Sequence, residues 1–246
     1  MKILAIGDPH GKLPRNLTRI IRKWKPEVIL CTGDIGGLSK NYFKRGYLTK
    51  KERENSNKSF RAIVDKLCSY NLPVLILRGN FFLSKEGSEV TKRSFGAHKN
   101  LFYKKDGVKK IKGEAFVFFD NIWEDDKRAG AYGRKQMKLM PSRKKNLLKN
   151  LKENSKCILF SHAPPYGSVD RVKNRFTNFK WKHVGSKVLR DAIKKYTPKY
   201  VFCSHIHEAK GKSKIGKTII YNVGSHGDYA VIDLEKNKIL ESNFLR

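Results

Sequence analysis

Short apolar runs bounded by glycine, proline or charge alternate with amphipathic stretches along most of the 246-residue chain. Residues 2–7 and 27–32 read as strands, and 13–24 between them as an amphipathic helix with Pro14 near its start. Residues 56–70 put Phe60, Ile63, Val64 and Leu67 on one helical face, and 72–79 return to strand. Residues 100–103, 108–112 and 115–120 read as consecutive strands. Residues 142–154 read as a helix capped by Ser142. Strands at 156–161 and 200–204 flank a helix at 185–196. Beyond Lys210 the pattern is strand-rich, with turns at Gly216, Gly224 and Gly227. Strands alternating with helices and then giving way to strands predict an α/β protein with two mixed sheets and flanking helices, in one domain spanning 1–246. The intervening loops 35–55, 121–140 and 162–184 are longer than structureless connections usually are, and loops of that length are often functional.

Composition narrows the setting. The hydrophobic fraction of 39% is that of a globular chain, and no apolar run is long enough to cross a bilayer. The apolar N-terminus meets Asp8 before the core of a signal peptide could form, so it reads as a first strand. Cys31, Cys68, Cys157 and Cys203 form no close pair, which excludes zinc-ribbon and dithiol redox motifs and predicts reduced thiols in a cytoplasmic protein. The charge is the outlier. Fifty-four basic against 22 acidic residues give +32, a field that attracts polyanions. A lysine-rich solvated surface would give the same number.

Five predicted strands each end in a residue able to bind metal: Asp8-Pro9-His10, Gly33-Asp34, Gly79-Asn80, Ser161-His162 and Ser204-His205-Ile206-His207. Each alone has an ordinary explanation as a turn or a satisfied histidine. Together they point to a metal site, because α/β proteins bind ligands beyond the carboxyl ends of their strands. Oxygen and imidazole donors without a thiolate suit manganese, iron or zinc. Two such ions could clamp the attacking and leaving oxygens of a phosphoryl group.

This series resembles the calcineurin-like metallophosphoesterases over nearly the whole chain. The segments 161–167 (Ser-His-Ala-Pro-Pro-Tyr-Gly) and 222–225 (Asn-Val-Gly-Ser) resemble that family too, and His183-Val184-Gly185-Ser186 is similar to prokaryotic, particularly archaeal, members. The resemblance implies a four-layer α/β sandwich and two divalent ions, manganese first, with iron, zinc or nickel as alternatives. It implies Asp8, His10 and His207 on one ion, Asn80, His162 and His205 on the other, and Asp34 bridging both. A hydroxide between the ions would attack phosphorus in line. Three positions depart from the family. Ser204 stands for a glycine and Val223 for a proline. Phe81 follows Asn80 where the family has a histidine that protonates the leaving oxygen. General acid catalysis is worth roughly 10²–10⁴ in rate. His183, at a predicted helix start between two donor strands, is the first substitute, ahead of His98 and His226.

Two stretches lack any acidic residue: 127–152 with ten basic residues and 171–190 with seven. In the second, Arg171, Lys173, Arg175, Lys180 and Lys182 are interleaved with Phe176, Phe179 and Trp181. Cations place phosphates and aromatics stack on unpaired bases. Phe81 and Phe82 could extend that platform, or pin a loop to the core. These features favour a phosphodiesterase or nuclease that contacts nucleic acid. The alternatives are a phosphomonoesterase or protein phosphatase, and a non-catalytic nucleic-acid-binding module. Nothing points to a membrane, and the oligomeric state is open.

Overall fold

The computed structural model describes residues 1–39, 41, 45, 48–80, 85–120, 130–173 and 181–244, with the backbone alone at 85–88, 91, 95 and 130–137. In chain order the elements are β1 (Lys2–Ile6), α1 (Leu17–Trp24), β2 (Val28–Cys31), α2 (Lys50–Cys68), β3 (Val74–Ile76), α3 (Lys85–Ala97) and β4 (Leu101–Tyr103). There follow β5 (Asp106–Ile111), β6 (Glu114–Phe119), α4 (Gly130–Glu153), β7 (Ile158–Ser161), α5 (Lys187–Tyr196) and β8 (Tyr200–Cys203). A short 3₁₀ turn at His207–Ala209 leads to β9 (Gly211–Ile215), β10 (Thr218–Asn222), β11 (Tyr229–Asp233) and β12 (Lys238–Ser242).

These elements make two compact units, residues 1–103 with 225–246, and residues 104–224. In the first, a six-stranded sheet runs β12-β11-β1-β2-β3-β4. Strands β1 to β4 are parallel, while β11 and β12 are antiparallel to their neighbours. Every residue of β2 and β3 is buried, which is why their sequences are unbroken apolar runs rather than alternations. In the second unit the order is β5-β6-β7-β8-β10-β9. Its four middle strands are parallel and its edges antiparallel.

Each helix meets its sheet through an apolar stripe. Helix α1 buries Leu17 and Ile20 and stops at Lys25 in a left-handed conformation. Helix α2 buries Phe60, Ile63, Val64 and Leu67, the predicted face, into a cluster with Ile29, Val74 and Ile76. In the second unit Leu147 and Leu151 of α4 and Leu189 and Ile193 of α5 join Val117, Leu159 and Val201.

The structure corrects four expectations about elements. Helix α1 starts at Leu17, not residue 13, so Pro14 lies before it. Helix α2 starts at Lys50, not residue 56, because Thr49 and Glu52 form a capping box there. Helix α4 starts at Gly130, so Ser142 is not a cap; its hydroxyl donates back to the Leu139 carbonyl within the helix. Pro141, just outside the predicted helix, sits inside the observed one. Helix α3 was not expected at all. Among the described side chains of 85–97, Val90 and Ser94 are buried, too sparse a stripe to announce a helix. The predicted turns hold: Gly216, Gly224 and Gly227 all have positive φ.

Candidate metal centre and basic loop

Strands β1, β2 and β3 lie side by side and parallel, so residues following them emerge at one edge of the first unit's sheet. Asp8, His10, Asp34 and Asn80 all follow these strands. Asp8 is held on three sides. Its Oδ1 accepts from the Thr32 hydroxyl at 3.1 Å, its carbonyl accepts from the His226 N–H, and it bridges Ser225. The His10 N–H donates to the Asp34 carbonyl at 2.9 Å, and the Asn80 N–H donates to Asp34 Oδ1 at 2.7 Å. Nε2 of His10 lies 3.9 Å from Asp34 Oδ2, and ligand atoms of Asp8 and His10 lie within 4.8 Å of each other. Asp8 and Asp34 are 0% and 1% exposed. Gly79 makes this closeness possible: a Cβ there would fall 2.2 Å from Asp34 Oδ1, and its φ is +72°.

In the second unit His162 follows β7 directly, and His205 and His207 follow its neighbour β8. The His162 and His205 rings are 4.9 Å apart, with ligand atoms within 4.8 Å. The Ser204 N–H donates to the His162 carbonyl at 2.9 Å, tying the two strand ends together. His207 opens the 3₁₀ turn. Asn222 at the end of β10 organises this edge: its amide donates to the carbonyls of Ile206 and Val169, and its oxygen accepts from Gly224 N–H.

Two departures from the family pattern are explained locally. The Ser204 hydroxyl donates to the Gly224 carbonyl, so the extra side chain is used as a clamp. Val223 supplies an N–H that proline would lack, and it bonds to the Cys203 carbonyl at 2.9 Å. The nearby thiols are not part of the donor set. Cys31 packs into the apolar cluster, where burial pushes its pKa up, and the Cys203 thiol donates to the Tyr221 carbonyl.

Phe81 and Phe82 lie outside the described residues. His98 precedes β4, at the amino edge of the parallel strands, and pairs with Asp65 at 2.7 Å, away from the donors. His226 is exposed, and its ring lies 5.0 Å from that of His10. His183 does not start α5; Ser186 caps that helix, and His183 instead bonds Asp170. Of the basic loop, Arg175, Phe176, Phe179 and Lys180 lie outside the described residues. The loop's neck is ordered by bonds from Val172 N–H to Lys182 O and from Trp181 N–H to Val172 O. Arg171, Lys173 and Lys182 are exposed there, and Trp181 is 56% exposed at φ +62°. Sequence reasoning missed Thr32 and Asp170, and it met Asn222 only as part of the Asn-Val-Gly-Ser segment, without a role.

The family model of the metallophosphoesterases of the calcineurin superfamily matches residues 1–244. The chain belongs to that superfamily. A metallophosphoesterase hydrolyses phosphoester bonds, and this one does so on two mixed sheets flanked by helices, the superfamily's α/β sandwich architecture. Protein MJ1162 of Methanocaldococcus jannaschii is 30% identical over 256 residues, covering 99% of this chain and 97% of its own length. Among solved structures, TT1561 of Thermus thermophilus shares the fold at TM-score 0.63 and 17% identity, over 98% of this chain and 97% of its own. The purple acid phosphatase PPD1 of yellow lupin shares it at TM-score 0.56 and 12% identity, over 98% of this chain and 53% of its own.

Proposed function

We propose that this metallophosphoesterase is a cytoplasmic phosphodiesterase, acting on nucleic acid or a related phosphodiester, and that residues 1–246 form one catalytic domain. The observation that carries the metal assignment is the set of donors at the carboxyl ends of parallel strands, with Asp8 and Asp34 almost fully buried beside His10. Carboxylates so deep in the protein call for positive charge beside them. Carboxylate, amide and imidazole donors without thiolate fit two divalent ions, manganese first. Asp8, His10 and His207 would hold one, Asn80, His162 and His205 the other, and Asp34 would bridge. When bound, such ions acidify water and neutralise phosphoryl oxygens.

The chain's own residues do the rest. Thr32 and the His226 N–H fix Asp8, and the Asn80 N–H fixes Asp34. His183, anchored on Asp170, would supply the proton that a histidine after Asn80 otherwise gives. The exposed Trp181 within a basic loop neck favours a diester with an unpaired base over a simple monoester. The four cysteines are buried and form no disulfide, which agrees with a reducing cytoplasm.

Metal analysis after dialysis against manganese, with wild type and Asp34→Asn, should give two ions per chain for wild type and fewer for the variant. At most one ion in wild type at saturation would overturn the dinuclear assignment. Bis(p-nitrophenyl) phosphate should turn over faster than p-nitrophenyl phosphate; the reverse order would favour a phosphomonoesterase.

A further inference from the structure

Asp170 is fully buried, and both its oxygens are occupied. Oδ2 accepts from the N–H groups of Gly167 at 3.0 Å and Gly185 at 2.9 Å, and Oδ1 lies 2.5 Å from His183 Nδ1. An ionised carboxylate only accepts, so Nδ1 carries the hydrogen and Nε2 is turned the other way. There Nε2 lies 3.4 Å from Nη2 of Arg171. The His183 ring meets the ring of Tyr166 at 5.8 Å. Over the same tyrosine lie Lys187 Nζ at 5.5 Å and Arg190 Cζ at 5.3 Å. Lys187 begins α5, whose first turn holds no acidic residue, so the positive end of the helix adds to the cluster.

Carboxylates do not balance these cations. Asp170 is committed to His183 and the loop amides, and Asp191 takes the Arg190 guanidinium at 2.8 Å. Among the described residues no carboxylate pairs with Arg171 or Lys187. Arg171 against His183 and Lys187 over Tyr166 therefore lack a carboxylate, and a bound anion would supply the missing counter-charge. Guanidinium and ammonium groups together match a phosphate. Tyr166 follows His162 by four residues, so their Cα atoms are at most ~14 Å apart. The Pro165–Ser186 bridge keeps the start of α5 against that same segment.

We propose that Tyr166, Arg171, Lys187 and Arg190, gathered beside His183, form a subsite for a second, non-reacting phosphate of the substrate, with His183 itself left to the leaving oxygen. The substrate class is then a phosphodiester that carries another phosphate, whether a short strand or a phosphorylated mononucleotide. This rests on the phosphodiesterase reading above. It does not depend on which ion each donor holds.

The test uses the full, manganese-loaded enzyme and two esters: thymidine 5′-(p-nitrophenyl phosphate) with and without a 3′-phosphate. In wild type the added phosphate should lower KM roughly tenfold or more, the scale of one charge-assisted hydrogen bond. The double variant Lys187→Ala, Arg190→Ala should lose that advantage, and Arg171→Gln should lose part of it if the double variant folds poorly. No advantage in wild type, or an advantage that survives in the double variant, overturns the subsite. A gain seen only with a longer oligonucleotide also overturns it, since the loop near Trp181 would then be responsible. Failure of the phosphodiesterase reading looks different: neither ester turns over. The subsite is then decided by nitrogen NMR of magnesium-loaded protein titrated with inorganic phosphate. His183 Nε2 should shift saturably in wild type and not in the double variant; an unmoved Nε2 in wild type overturns the proposal.

Discussion

His10, Asp34 and His205, three of the proposed donors, have left-handed backbones, at φ +43°, +41° and +65°. Strain of this kind gathers at functional sites and persists where the surroundings enforce it. Gly79 shows how tight the enforcement is. Gly79→Ala should destabilise the protein by about 1–3 kcal/mol in urea unfolding, from the positive φ alone. It should also displace Asp34 and weaken manganese binding. Unchanged manganese affinity would show that Asp34 does not need its present position. The proposed donors stand out in the sequence because each is a metal-binding residue type placed just after an apolar run. The residues that orient them do not. Thr32 looks like an ordinary strand-end threonine, and Asp170 like one more loop acid, until the fold brings Asp8 and His183 to them.

Strands and amphipathic helices with a clear stripe were also legible, and elements without one were not. Helix α3 offers too few buried positions, and α4 hides its first turns behind Pro141. Caps fix the beginnings once formed, though Ser142 shows that a serine before an apolar stripe need not be one. The Ser186 hydroxyl accepts from Leu189 N–H at 2.9 Å and starts α5 beside the basic loop. Ser186→Ala should cost about 1 kcal/mol, read as a lowered urea midpoint at unchanged slope. Elements are also joined by charge. Glu241 on β12 accepts from Tyr229 on β11 and from Trp24, Lys23 and Arg19 on α1. Those bonds, the Tyr229 hydroxyl first, lower its pKa from 4.5 to about 2. A depressed carboxylate stabilises the fold fully above its unfolded pKa and stops doing so as pH falls through its folded pKa. Stability should therefore decline between about pH 4.5 and about pH 2 through this group. Glu241→Gln should flatten that part of an acid-unfolding curve; an identical acid limb would remove Glu241 from the account.

Over the whole molecule the +32 charge has two explanations that salt and one aromatic residue separate. Contacts of lysine and arginine with the phosphates of a single strand give a slope of log affinity against log salt of about −0.7 per phosphate, so about −3 for four contacts. Diffuse attraction to a basic surface is also weakened by salt, but it does not depend on Trp181. Trp181→Ala should weaken oligonucleotide binding by about 1–3 kcal/mol without altering the slope, as loss of a stacked base would. If the folded variant binds as wild type does, the charge reflects composition rather than recognition.

The sheet of the first unit begins with β1 and is completed by β11 and β12, with residues 104–224 inserted between. On the ribosome this sets an order of events. The second unit is contiguous and can fold once it has emerged, whereas Asp8 must wait for His226 and Ser225, its backbone partners near the end of the chain. A free chain truncated after residue 224 should resist protease across 104–224 while residues 1–103 remain cleavable. A chain that also carries residues 225–246 should protect 1–103 as well. If so, Asp8 takes its place in the carboxylate cluster only after residues 225 and 226 have joined the sheet, and a chain cut short of them holds that carboxylate unfixed.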